Sequence, residues 1–338
     1  MSNLETRPDE VVCHSYGLSG PSSKEGGRAP VEIITARDVP LGGPRSMTVR
    51  RTLPQRQRSL IGAWCFVDHY GPDQVETTGG MDVAPHPHTG LQTVSWLFAG
   101  EIQHLDSGGN AGLVRPGEVN LMTAGRGICH SEVSTENTSI LHGVQLWLAL
   151  PEAARHREQR SFEHHAPPVT EFVGGSAKVF LGELLGARSP VTTHSPVLGA
   201  EIRLDPGAVV DLAIDPGFEH GVLVDSGEIA VENVAVPSAA IGYTGIGLSE
   251  LRIENRSDFP GRVVLLGGAP FGEEIVMWWN FVGRSHDEIA EARREWQAGS
   301  DRFGVVEGYV GAGGPGANAQ GMSRLPAPQL PAGNSAPG

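Results

Sequence analysis

The sequence predicts an all-β protein made of two small barrels in tandem, with one short helix near the C-terminus. Composition is the first reason. Of 338 residues, 46 are Gly and 25 are Pro, and only Lys24 and Lys178 are lysines, a balance that favours short strands and turns over a helical bundle. Strand-like runs are the second. Segments rich in β-branched and aromatic residues recur between Gly, Pro, Asp and Asn, at 31–35, 59–68, 91–98, 118–122, 140–150, 179–181, 209–214, 221–224, 251–254 and 262–266. Internal similarity is the third, because LFAGEI at 97–102 resembles VDSGEI at 224–229, each within a comparable run of strands.

Taken in order, residues 1–30 are Gly-, Ser- and Pro-rich without periodicity and read as a mobile segment. Residues 31–160 form the first barrel and 161–310 the second, with the strand pattern interrupted between 151 and 178. Residues 311–338, rich in Gly, Pro and Ala, read as a disordered tail that buries nothing. One helix is well marked: Ser285 and Glu288 make a capping box, Ile289, Ala292 and Trp296 share a face, and Gly299 stops it. A shorter helix is expected over 152–159. Aligning Gly100 with Gly227 puts Ala213 and Asp215 where the first copy has His86 and His88, so a function resting on that pair belongs to the first barrel alone.

Charge excludes whole classes of partner. With 39 acidic against 25 basic side chains the net charge is -14, and no Lys/Arg-rich run offers a groove for nucleic acid or an anionic membrane surface. No stretch has the roughly 20 apolar residues of a membrane helix, and the polar start lacks the pattern of a signal peptide. Cys13, Cys65 and Cys129 are odd in number and widely spaced, which suits reduced thiols in a cytoplasmic protein.

The chemistry points to histidine. In Pro85-His86-Pro87-His88 the prolines impose extended backbone, on which side chains at i and i+2 leave from one face and can converge on one ion. An H-x-H is common by chance among 13 histidines, so the pair needs company. His130-Ser131-Glu132 supplies it, following the turn Ala124-Gly125-Arg126-Gly127. The other H-x-E pairs, His156 with Glu158 and His286 with Glu288, fall in expected helices, where they diverge. Two neighbouring strands would then present three imidazoles and one carboxylate, a set suited to Fe(II), Mn, Ni, Cu or Zn with about two positions left open. The alternative is that these side chains only hydrogen-bond in a polar barrel mouth.

Longer motifs carry a resemblance. PHPHTGLQTV at 85–94, GEIQHLDS at 100–107, MTAGRGICHSE at 122–132 and HGVQLW at 142–147 are together similar to the pirin family of the cupin superfamily, over about residues 30 to 300. The resemblance implies two cupin barrels, with iron in the N-terminal one held by His86, His88, His130 and Glu132. It further implies a dioxygenase acting on an aromatic or enolic small molecule such as a flavonol, with Glu132 as general base. Its alternative is a redox-sensitive regulatory module with a protein partner and no direct contact with nucleic acid. One departure stands out: Gln92 occupies a place where relatives commonly have Glu, which bears on hydrogen bonding around the site.

Other side chains are given structural roles. His104 and His142 read as hydrogen-bonded barrel residues, and Cys129, beside His130, as packing on the opposite strand face. Trp96, Met122, Gln145 and Trp147 are candidates to line the cavity, and Trp278 and Trp279 to pack between the domains. No G-x-S-x-G, G-K-[ST] or G-x-G-x-x-G context supports a nucleophilic triad or a nucleotide site.

Overall fold

The computed structural model describes residues 7–14, 30–41, 47–157 and 159–331. Two antiparallel barrels account for most strands. In the first, a seven-stranded sheet runs Ser161–His165, Val119–Thr123, Leu91–Ala99, Ile140–Ala149, Trp64–Gln74, Met47–Leu53, Arg37–Leu41. Its companion sheet runs Asp82–His88, Ile128–Ser134, Ile102–Asp106, Ala111–Val114. The second barrel repeats the plan with Glu32–Ile34, Ile241–Thr244, Glu219–Ser226, Gly261–Gly268, Val197–Leu204, Gly175–Leu181, Thr170–Phe172 against Val209–Ala213, Glu250–Asn255, Ile229–Val231, Val234–Val236.

The barrels trade edges. Glu32–Ile34, expected in the first barrel, pairs instead with Ile241–Thr244 of the second. Ser161–His165, expected in the second domain, pairs with Val119–Thr123 of the first. Each edge strand thus goes to the sheet whose backbone groups it can satisfy, whatever its sequence neighbours are.

Between the barrels the two large sheets share a core that includes Trp64, Val94, Trp96, Val144 and Leu146 from the first and Phe180, Leu223, Val264 and Leu266 from the second. Period-2 alternation decides membership. Trp96, expected to line the cavity, therefore faces the other barrel, where its indole Nε1 donates to Glu201 Oε2 at 2.8 Å. Gly62 lies at φ +52°, and a Cβ there would come within 2.6 Å of Gly268 Cα, so glycine permits this close approach.

Both chain ends correct the sequence reading. Val11–Cys13 pairs with Ile275–Trp278, and Cys13 is fully buried, so this part of the expected mobile segment is a strand. The tail also packs. Leu325 and Ala327 are buried, Trp296 Nε1 donates to Leu325 O at 2.9 Å, and Leu325 N donates to Pro85 O at 2.9 Å. Asp82 accepts from Tyr309 Oη, Ala312 N and Ala319 N at 2.7, 3.0 and 3.0 Å. A Gly/Pro-rich segment has little to bury by itself, but here it covers the open edge of Asp82–His88. Residues 1–6, 15–29 and 332–338 lie outside the described residues.

The long helix is His286–Ala298, capped by Ser285 Oγ accepting from Glu288 N and ended by Gly299 in the left-handed region. Its buried face, Ile289, Ala292 and Trp296, joins Trp278, Phe281, Phe303 and Cys129 in one cluster. Trp278 thus packs on the outer flank of the first barrel and not in the core between the barrels. The shorter helix starts at the expected position but spans only Glu152–Arg155, and Pro151 before it offers no side-chain cap.

Candidate metal centre

Register assembles the site. Ile128–Ser134 runs antiparallel to Asp82–His88 with His130 opposite His86 and Ile128 opposite His88. On its other side it pairs with Ile102–Asp106, with Asp106 opposite His130 and His104 opposite Glu132. Six polar side chains from three strands therefore share one inner face, and all are 3% exposed or less.

His86, His88 and His130 converge: one nitrogen from each lies within 4.8 Å of the others. His88 Nε2 and His130 Nε2 are 3.1 Å apart. His86 Nδ1 donates to Ala84 O at 2.9 Å, which leaves its Nε2 a bare lone pair, buried and without a hydrogen-bond partner among the described residues. Glu132 stands on the same face, also buried, with Oε2 unpartnered. It lies outside the three-imidazole group, and a register shift between His130 and Glu132 brings it opposite Val83.

Behind His130 stands a chain through His104, which has the hydrogen-bonding role expected of it. His130 Nδ1 faces His104 Nδ1 at 3.2 Å, and His104 Nε2 faces Asp106 Oδ2 at 3.2 Å. Two facing imidazole nitrogens need one proton between them. With His104 donating Nε2–H to Asp106, its Nδ1 accepts from His130 Nδ1–H, and His130 Nε2 is left as a lone pair directed to the centre. Asp106 is fixed by Gly108 N at 2.7 Å and Asn110 N at 3.1 Å. Burial pushes its carboxyl up, but the His104 and Asn110 hydrogen bonds hold it below the usual value.

Burial keeps the three converging imidazoles neutral. It lowers His86 to about 3, and it takes His88 and His130 well down, with neighbouring histidines adding to the effect. Neutral nitrogen is the form that binds metal. Three converging, buried, neutral imidazoles, with His86 Nε2 left without a partner among the described residues, fit a first-row divalent ion, so these side chains are a group that can hold one.

The remaining expectations fall on either side of the sheets. Cys129 points outward into the cluster with Trp278, and burial raises its thiol to about 11. Gln92 points away from the imidazoles: its amide donates to Thr123 Oγ1 at 2.9 Å and Thr192 O at 3.2 Å. Met122 and Trp147 line the first barrel's interior core; Gln145 is buried and accepts from Ser95 Oγ at 2.8 Å. Gly90, two residues past His88, has φ +68°, and a Cβ there would meet Val282 O at 2.3 Å, so glycine lets the 281–283 strand dock beside the site.

A second cluster, His69, His142 and Asp225, also brings three buried ligand-type atoms together. Here Asp225 Oδ1 is already 2.7 Å from His69 Nε2 and 2.6 Å from His142 Nε2, while Oδ2 accepts from Arg262 Nε at 2.8 Å. With a guanidinium on the carboxylate and both imidazoles in direct hydrogen-bond range, the cluster is a polar joint between the barrels. His142 has the hydrogen-bonding role expected of it. Ala213 is exposed and Asp215 Oδ1 caps a turn at Gly217 N, 2.8 Å away, so neither equivalent of the histidine pair faces the second barrel's interior.

A tandem pair of cupin barrels, the leading one with converging imidazoles on its inner face, defines the class. The chain belongs to the pirin family: residues 46–148 match Pirin and 199–304 match the Pirin C-terminal cupin domain. It is 44% identical over 304 residues to a Pseudomonas aeruginosa protein named "putative quercetin 2,3-dioxygenase", covering 89% of this chain and 91% of that one. The crystal structure of a quercetin 2,3-dioxygenase from Acinetobacter baumannii superposes with a TM-score of 0.81 at 39% identity, covering 89% of this chain and 96% of that one. A bacterial pirin from Escherichia coli in complex with nickel(II) shares the fold at TM-score 0.55 and 19% identity, over 71% of this chain and 99% of that one. No helix among the described residues is long and apolar enough to cross a membrane.

Proposed function

We propose that the protein is a metal-dependent dioxygenase that opens a flavonol or a related enolic ring with dioxygen. The observation that carries this reading is the convergence of His86, His88 and His130 on one buried point, where His86 Nε2 has no hydrogen-bond partner among the described residues. Two relatives at 44% and 39% identity that carry quercetin dioxygenase names support the substrate class.

His86, His88, His130 and Glu132 would hold the ion, iron(II) first among Mn, Ni, Cu and Zn. When bound, it supplies a Lewis acid for the substrate's 3-oxygen and a site for dioxygen. The protein's own contribution is positional and protonic. His86, locked by Ala84 O, and His130, locked by the His104–Asp106 chain, keep Nε2 directed inward. Glu132, with an unpartnered Oε2 in a site closed to water, accepts the proton of the substrate's 3-hydroxyl. Near-zero exposure of the three histidines excludes water from the reacting oxygens.

The test is oxygen uptake with quercetin, with carbon monoxide as second product. Iron-loaded protein consumes oxygen, and His88→Ala abolishes both consumption and bound metal. Turnover that survives loss of the ligands overturns the assignment.

A further inference from the structure

Two of the three converging imidazoles are turned by an acceptor behind the ring: Ala84 O behind His86 and His104 Nδ1 behind His130. His88 has no such neighbour on its own sheet. Its Nε2 lies 3.1 Å from His130 Nε2, while its Nδ1 is buried with no partner at hydrogen-bond distance among the described residues. Trp147 meets the ring edge to face with centroids 5.2 Å apart, but an indole offers a nitrogen donor and no acceptor.

The acceptor that faces His88 comes from far along the chain. It is the backbone carbonyl of Asn280, a residue only 1% exposed. Trp278 pairs with Phe281, so Trp279 and Asn280 are the two-residue turn between Ile275–Trp278 and Phe281–Gly283. That hairpin is docked on the residue after the ligand. Phe281 bridges Thr89 in parallel, and Val282 N donates to Thr89 O at 3.1 Å. With Gly90 admitting Val282 O, the turn is held in register with His88.

Backbone strain in the turn is a second, independent indication. Trp279 has φ +53°, in the left-handed region where a bulky residue is an outlier and where a two-residue hairpin ordinarily uses Gly or Asn. Such strain persists only where the surroundings over-determine it, and it gathers at ligand clamps. Here the surroundings are aromatic and aliphatic. The Trp279 ring packs on two core clusters at once, one holding Met81, Val83 and Tyr309 and the other Trp278, Phe281 and Phe303. It meets Phe281 edge to face with centroids 5.5 Å apart. Glycine at this position would relieve the backbone and leave the space between the clusters empty.

We propose that Trp279 is a positioning residue for His88: its ring, wedged between the two clusters, keeps the turn in the left-handed conformation that sets the Asn280 carbonyl against His88 Nδ1, so that Nε2 faces the ion. The third imidazole then has the same support as the other two. The inference rests on the metal centre of the proposed function, and not on its substrate or reaction.

The experiment loads the full chain with cobalt(II), whose visible bands report ligand geometry, and measures affinity against a competing chelator. Trp279→Gly, which keeps positive φ within reach but removes the wedge, should raise the cobalt dissociation constant about tenfold and displace the bands. Trp279→Phe, which restores a ring, should recover most of that loss. Trp278→Phe thins the packing of the same hairpin without touching the turn, and should keep the parent's bands and a constant within about twofold of the parent's. An unchanged constant with unchanged bands in Trp279→Gly overturns the proposal. If that variant does not fold, the zinc-loaded parent decides by nuclear magnetic resonance: His88 Nδ1 should show a coupling through the hydrogen bond to the Asn280 carbonyl carbon, and absence of that coupling overturns the proposal. The expected cobalt results without oxygen uptake by the iron-loaded parent would sink the dioxygenase reading and leave the positioning role standing; normal turnover with unchanged cobalt results in Trp279→Gly would do the reverse.

Discussion

In the first barrel the inner face of the four-stranded sheet carries His86, His88, His104, Asp106, His130 and Glu132, all buried. In the second, the sheet of the same topology carries Val210, Leu212, Ile229, Val231, Leu251 and Ile253, which join a single aliphatic core. The difference teaches what each barrel is for. Aliphatic side chains fill space and need no partners, and burying them stabilises the fold. Buried imidazoles and carboxylates cost stability unless something satisfies them, so a sheet that keeps six of them marks a place where function overrides packing.

Removing a ligand breaks the comparison most sharply. His130→Ala should take bound metal from about one ion per chain to background by elemental analysis, while Asp215→Ala in the second barrel leaves it unchanged. Equal loss in both would show that the second barrel also takes part. Next in size is the joint between the barrels. Asp225→Ala leaves Arg262, His69 and His142 without their shared acceptor and should lower unfolding free energy by about 3 kcal/mol. Denaturant unfolding should then separate into two transitions where the parent shows one.

A smaller effect is expected behind the ligands. His104→Phe keeps the stacking against Phe162, whose ring centroid lies 4.7 Å away, but breaks the link between His130 and Asp106. Metal affinity measured against a competing chelator should fall by about 10- to 100-fold. Mildest is the dependence on pH. Burial lowers His69, His86, His88, His130 and, to about 4, His220 below their unfolded value. An unfolded histidine takes up its proton near pH ~6.5 and the folded one resists. Stability of the metal-free protein is therefore full above that pH and declines as pH falls, by up to about 1.4 kcal/mol per unit for each such group. Urea midpoints at pH 7.5 and 5.5 measure this decline. His220→Leu, in the second barrel, should remove only a minor part of it.

Much of this was legible in residue order. Alternation and turn residues mark most of the large-sheet strands, and the i, i+2 spacing of His86 with His88 and of His130 with Glu132 puts each pair on one face. Spacing cannot say which way a face points. Trp96 and Gln92 both turn toward the second barrel because Leu91–Ala99 is buried on both sides, which erases the polar–apolar alternation that would have oriented it. The bulge between His130 and Glu132 has no mark in the sequence, nor does the link from His104 to His130, since both depend on register. Non-local pairing hid the rest. Glu32–Ile34, legible as a strand but not as a strand of the second barrel, and the 309–327 segment, whose own composition argues only for turns, both owe their place to strands far away in the chain.

The exchange of edges sets an order of events for a chain made from its N-terminus. When residue 165 is complete, every strand of the first barrel exists, but the outer margin of Asp82–His88 lies bare, because the peptide that shields it comes from residues 309–325. The nascent first barrel therefore has its histidine strand uncovered along that margin until residues 309–325 have been added.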